Sequence, residues 1–309
     1  MSVTSAERQV TIVEVAPRDG LQNETVSLST DEKLELVRRA VDFGARNVEV
    51  TSFVHPKKVP AMADAEDLVG LLRPVEGVTY SALVLNERGL DRALAAGVGE
   101  INAVVHCTDT FSNRNQGTDV AGGVEIWRRI AQTAREAGVT ANLTIAVAFG
   151  CPFEGEVTID RLRSVLDAVL VEPPTELSLA DTIGVGVPRD VRERFAVAAE
   201  LASDGTALRA HFHDTRGCGI GNALAAVESG VSILDASLGG IGGCPFAPNA
   251  TGNIATDDLV YALERSGISH GLDVVLLQEA GEWLQARFGR RLPSSVLHAG
   301  GFPVPSVAS

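Results

Sequence analysis

Short apolar and β-branched runs alternate with longer amphipathic stretches along most of the chain. The strand-like runs are Val10–Ala16, Asn47–Phe53, Tyr80–Val84, Ile101–His106, Ala141–Phe149, Glu176–Ala180, Leu208–Asp214 and Ile233–Leu238. Each is bounded by Gly, Pro, Asp or Asn, the residues that end strands and make turns. Between them, apolar positions recur at helical spacing, as Leu34, Val37 and Val41 do in Thr30–Phe43, where Ser29 or Thr30 can cap the first turn. The other helical stretches are Met62–Leu72, Asn86–Ala96, Val124–Ala137, Ile159–Val171, Pro188–Ala202, Asn222–Ser229 and Thr256–Arg265. Ala137-Gly138 and Ser229-Gly230 read as left-handed helix ends.

Eight alternations within about 260 residues predict a (β/α)8 TIM barrel of the α/β class, with an open doubly wound sheet as the competing topology. The barrel is expected over residues 1–270. Residues 271–309, with one amphipathic helix at Val274–Phe288 and a Pro/Ser/Gly-rich end, read as an appendage packed on it, too short to bury a core alone. Apolar residues make up 45% of the 309, too many for a disordered chain, yet no run is long enough to span a membrane. Against 40 acidic residues stand 26 Lys and Arg, a net charge of −14 that argues against nucleic acid or an anionic membrane as a general partner. The four cysteines are dispersed without a C-x-x-C pair, and the N-terminus lacks the apolar core of a secretory signal. A reducing, cytoplasmic location is the expectation.

Barrel active sites form at the C-terminal ends of the strands, and polar residues collect there. Strand one runs into Arg18 and Asp19, strand two carries Glu49, strand six ends at Asp181, and strand seven is Ala210-His211-Phe212-His213. The period of two puts both imidazoles on one face. They can share a cation, or simply pack side by side. Asp19 can add a carboxylate and Asn253 an amide oxygen, a thiolate-free set that suits Mg²⁺ or Mn²⁺ better than structural zinc. Gly217-x-Gly219-x-Gly221 lacks dinucleotide-fingerprint spacing. Gly239–Gly243 can present backbone N–H groups to a phosphate, or can form a sharp turn that needs positive φ. Cys244 in that loop is a candidate proton donor, or else a small apolar residue like the other three cysteines.

Several segments together resemble the 3-hydroxy-3-methylglutaryl-CoA lyase family, within the metal-dependent aldolase/Claisen-type barrels. They are Val15-Ala16-Pro17-Arg18-Asp19-Gly20-Leu21-Gln22-Asn23-Glu24, Glu49–Val54 with Pro56-Lys57 and Val59-Pro60, and Asp181-Thr182-Ile183-Gly184-Val185-Gly186. His211-x-His213-Asp214-Thr215, Gly242-Gly243-Cys244-Pro245-Phe246-Ala247 and Gly252-Asn253-Ile254-Ala255-Thr256 complete the set. The resemblance implies a divalent-metal lyase releasing acetyl-CoA and a ketoacid from a 3-hydroxyacyl-CoA, and a homodimer. It places Asp19, His211, His213 and Asn253 around the cation. Arg18 would stabilise the thioester oxygen, Asp19 or His211 would handle the hydroxyl proton, and Cys244 would protonate the enolate carbon. Gln22, Glu49, Asp181 and Gly243 would line the substrate site, and Asp257 would brace it.

Three departures bear on the acyl group. Arg216-Gly217-Cys218 replaces a Tyr-Gly-Gln-like stretch, Asn249 is bulkier than expected, and Asp257 stands where Glu is usual. They leave open a lyase for another branched 3-hydroxyacyl-CoA. A Claisen condensing enzyme or pyruvate-type aldolase gives Cys244 no role, and a non-catalytic scaffold would not need every one of these groups.

Overall fold

The computed structural model describes residues 8–243 and 252–302. Eight parallel strands close into a barrel in chain order: β1 Thr11–Glu14, β2 Asn47–Ser52, β3 Thr79–Leu83, β4 Glu100–His106, β5 Thr140–Ala146, β6 Glu176–Asp181, β7 Ala207–Phe212 and β8 Ile233–Ala236. β1 pairs with β8 on one side and β2 on the other, which leaves the barrel sheet without an edge and settles the topology against an open sheet. Because helices cover the outside, the strands are buried on both faces, and their outward residues, such as Val48, Val50, Ile101, Val105 and Leu143, join the helix-facing core.

The helical expectations hold with small boundary shifts. α1, Thr30–Asp42, is capped by Ser29, whose side chain accepts from the Glu32 N–H while Glu32 reaches back to the Ser29 N–H. α2 Ala65–Leu71 and α3 Glu87–Ala95 follow. Gly138 and Gly230 take positive φ at the ends of α5 (Val120–Glu136) and α8 (Gly219–Glu228), as their positions suggest. The sequence pattern does not reveal α4, Asp109–Gln116, because its Asp-Thr-Phe-Ser-Asn-Arg-Asn-Gln run buries only Phe111 and Ser112. α6 Ile159–Val169 and α7 Pro188–Leu201 complete the ring with α9, Thr256–Arg265. α10, Val274–Phe288, packs against α1 and α9, and a short α11, Val296–Ala299, follows. No helix among the described residues is long and apolar enough to cross a membrane.

The barrel interior is unusual in being charged. Glu49, Asn102, Arg209 and Asp235 are each at most 5% exposed, and Glu176 lies beside them. This polar layer lies beneath the C-terminal mouth and supports what stands above it.

Candidate active site

At the end of β1 the chain makes one wide turn, Ala16–Gly20, in which the Gly20 N–H reaches the Val15 carbonyl five residues back. Such π-turns are rare and tend to mark functional positions. This one directs Arg18 and Asp19 together into the mouth. A Cβ on Gly20 would stand 2.8 Å from both Ile241 Cγ1 and Ser237 Oγ, so only glycine lets the turn sit against the end of β8. The Arg18 guanidinium pairs with Asp19 and Glu49. Glu49 lies beside a register shift in β2, and its other oxygen accepts from Asn102 Nδ2.

On β7 the alternation continues below the two histidines. Arg209, His211 and His213 share the inward face. His211 Nδ1 lies 3.0 Å from Asp235 Oδ2, while its Nε2 points toward Asp19 Oδ2 at 4.0 Å. Arg209 holds the other Asp235 oxygen at 2.6 Å, Glu176 at 3.0 Å and Glu49 at 3.8 Å. The segment around Asn253 bridges His213: Asp214 N–H donates to the Gly252 carbonyl, and Ile254 N–H to the Phe212 carbonyl. The amide thus arrives at the metal-facing side, donating from Nδ2 to Asp19 Oδ2 at 2.9 Å.

Asp19, His211 and His213 each offer a ligand atom, and these atoms all lie within 4.8 Å of one another. Two further observations fit a cation. Nδ1 of His213 and Oδ1 of Asn253 are buried with no hydrogen-bond partner, orphans that a hard, oxygen- and imidazole-liking ion would satisfy. The carboxylate behind His211 fixes its tautomer, so a neutral ring keeps its Nε2 lone pair facing the cluster. Burial alone would raise the Asp19 carboxyl, but Arg18, the two histidines and the Asn253 amide outweigh it and hold it far below the usual range. Burial drives His213 down to about 4, so it stays neutral and ready to ligate at pH 7. His211 is also desolvated, yet Asp235 and Asp19 overcome that and raise it.

These groups open into a cavity of about 240 Å³. Arg18, Gln22, Glu49 and Gly243 line it with the two histidines, and Gln22 Oε1 is buried there without a partner. The structure corrects the expectation for Asp181. It does not line the cavity; both its oxygens accept backbone N–H groups, from Val185 and Gly186 at 2.9 Å each, and close the loop after β6. Its neighbours Ala180 and Thr182 reach the cavity instead. Asp257 braces from behind, accepting the Gly239 N–H at 2.8 Å, and burial raises its carboxyl to about 6. Cys244 and Asn249 lie outside the described residues.

The glycine runs serve geometry. Gly239, Gly240 and Gly242 all have positive φ, and their N–H groups are taken by Asp257, the Ser237 carbonyl and Glu24, so these three are not free for a phosphate. The N–H of Gly219 at the start of α8 is likewise taken by Asp214. Arg216 does not enter the cavity; its guanidinium donates to the Ile183 and Gly184 carbonyls and ties the β6 loop to the β7 loop. Asp235 and Arg209 escape the sequence reading, although Arg209 shares the period of two with the histidine pair.

A family model described as HMGL-like matches residues 9–283. The chain belongs to the HMGL-like family. Among its relatives, it is 38% identical over 288 residues to hydroxymethylglutaryl-CoA lyase YngG of Bacillus subtilis, covering 93% of this chain and 96% of that one. It is 39% identical to (R)-citramalyl-CoA lyase of Chloroflexus aurantiacus, covering 97% of each. The structure of a family member, an HMG-CoA lyase from Acinetobacter baumannii in complex with coenzyme A and 3-methylmalate, superposes with a TM-score of 0.92 at 35% identity, over 98% of this chain and all of that one.

Proposed function

We propose that this protein is a divalent-metal-dependent carbon–carbon lyase that cleaves 3-hydroxy-3-methylglutaryl-CoA to acetyl-CoA and acetoacetate. The observation that carries the proposal is the convergence of Arg18 with Asp19, His211 and His213 in one cavity, in a chain aligned nearly end to end with hydroxymethylglutaryl-CoA lyases.

Asp19, His211, His213 and the Asn253 amide oxygen would hold Mg²⁺ or Mn²⁺. When bound, the cation lowers the pKa of the substrate hydroxyl and fixes its orientation. The chain's own groups do the rest. The hydroxyl proton passes to Asp19 or His211. The oxygen's electron pair then forms a carbonyl, the adjacent carbon–carbon bond breaks, and its electrons move onto the acetyl-CoA carbon as an enolate. Arg18, fixed by Glu49, faces the thioester oxygen on which negative charge accumulates, a contribution of about 3–4 kcal/mol for a well-placed donor. Cys244 then delivers a proton to the enolate carbon. Gln22, Glu49 and Gly243 contact substrate, while Asp181 and Asp257 hold the loops behind it. The resemblance also supports a homodimer, and the buried free thiols of Cys107 and Cys151 suit a cytoplasm that keeps cysteines reduced.

The likeness to the citramalyl-CoA lyase supports a second reading with the same chemistry on an acyl chain one methylene shorter. One methylene is worth only about 1–3 kcal/mol of discrimination. Acetyl-CoA release should therefore be measured from both thioesters with Mg²⁺, with chelator and with Cys244→Ala. Metal-dependent release from the methylglutaryl thioester, lost in the variant, is expected. Faster turnover of the citramalyl thioester would move the assignment to the shorter acid. No release from either by folded, metal-loaded protein would overturn the lyase reading.

A further inference from the structure

The cavity's interior leaves little positive charge for a polyanionic substrate. Arg18 is occupied by Asp19 and Glu49, and Arg209 by Asp235 and Glu176. The protein as a whole carries −14. At the outer edge the situation reverses. The loop after β2 places Lys58 on the cavity wall beside Val54 and Val59. The other side of the same loop, through Phe53, His55 and Pro56, forms a second cleft of about 390 Å³ that also contains Arg88 and Arg92. Arg92 is committed to Glu66. Lys57, Lys58 and Arg88 are exposed, and among the described residues none of their side chains has an ion pair or hydrogen bond. Three uncommitted cations, Lys57 and Lys58 on the loop after β2 and Arg88 in the first turn of α3, need a physical reason in an acidic protein.

We infer that the loop after β2 and the start of α3 together form a phosphate-binding rim, with Lys58 at the cavity mouth and Arg88 in the adjoining cleft gripping the phosphate groups of the CoA moiety while its acyl end occupies the cavity. The inference rests on the acyl-CoA reading. A thioester carbonyl at Arg18 requires the pantetheine arm to leave by the mouth. The loop after β2 contributes residues to both the cavity and the neighbouring cleft. A phosphate held there gains charge-assisted contacts without burying a charge, which suits exposed Lys and Arg side chains. The contribution is the modest one of solvent-exposed pairs, read in affinity and salt dependence more than in turnover.

The measurement is equilibrium binding of CoA, 3′-dephospho-CoA, pantetheine and free 3-hydroxy-3-methylglutarate to the metal-loaded protein, by calorimetry at two salt concentrations. The variants are Lys58→Met, Arg88→Met and the double change, and Mn²⁺ affinity is the control for an intact site. Each single change should weaken CoA about three- to fivefold and the pair about tenfold or more, with a shallower salt dependence and unchanged pantetheine binding. A loss for CoA but not for 3′-dephospho-CoA assigns the rim to the 3′-phosphate; equal losses assign it to the diphosphate. Unchanged CoA affinity in the double variant overturns the inference. So does an equal loss for pantetheine, or a loss confined to the free diacid. Failure of the unaltered protein to bind CoA at all would instead strike the acyl-CoA reading itself.

Discussion

Asp235→Asn tests whether the buried layer sets the metal site. The substitution keeps the shape and one acceptor oxygen but removes the charge that His211 Nδ1 meets at 3.0 Å and Arg209 Nε at 2.6 Å. Carboxylates in this position behind a ligating histidine change metal affinity by about 10- to 100-fold, or roughly 1.4–2.7 kcal/mol. A second cost falls on stability. Breaking a buried pair costs about 3–5 kcal/mol when the remaining charge is stranded. Arg209 keeps Glu176 at 3.0 Å and Glu49 at 3.8 Å, so the loss should lie at or below the low end of that range. The two costs separate experimentally. Calorimetric Mn²⁺ titration of folded protein reads the first, and urea unfolding with chelator present reads the second. If the variant is folded and binds Mn²⁺ within twofold of the parent, the carboxylate does not orient His211 and the reasoning is refuted.

Three further outcomes follow from single contacts. Gly242→Ala would put a Cβ 2.7 Å from Asn253 Nδ2 at a φ of +108°, so metal affinity should fall at least about tenfold; an unchanged titration would show that the amide tolerates the shift. Thr182→Val removes the hydroxyl that accepts the Val147 N–H at 2.8 Å. Val147 is the one non-glycine residue with positive φ among the described residues, and stranding its amide should cost about 1–3 kcal/mol in urea unfolding. Glu14 accepts from Ala16, Leu238 and Thr256, and burial, the largest influence, raises its carboxyl from 4.5 to about 7. Its favourable contribution is therefore present below pH 4.5 and lost as pH rises through 7. Glu14→Gln should match the parent at pH 4.5 and gain up to roughly 3 kcal/mol on it by pH 8; a stability gap independent of pH would contradict the shift.

The fold was legible because strand and helix periods differ and each element's apolar residues obey its own period. All eight barrel strands lie where the short β-branched runs predict. What escaped has specific causes. α4 is polar on most of its surface, so its period carries little signal, and the π-turn at Ala16–Gly20 has no sequence period at all. Asp19, His211 and His213 were readable as a cluster because closure of the barrel brings β1 and β7 to either side of β8. Asp181 was misplaced because a strand-end carboxylate can serve its own loop as well as a ligand; only the N–H groups of Val185 and Gly186 distinguish the two. Asp235 was overlooked because Ile233-Leu234-Asp235-Ala236 looks like a plain core strand interrupted by one polar residue.

That interruption is the informative feature. A purely apolar interior would hold a barrel of this size together at least as well, since replacing buried ion pairs by well-packed apolar groups is often neutral or stabilising. Around the cluster stand four carboxylates, Asp19, Glu49, Asp235 and Glu176, and two guanidiniums, Arg18 and Arg209. Glu100 adds a fifth carboxylate coupled to Glu176 and Glu49, and burial, with those neighbours, raises it to about 7. Negative charge thus exceeds positive around the cluster, which favours a cation beside Asp19, while Arg209 joins three of the carboxylates, Asp235, Glu176 and Glu49.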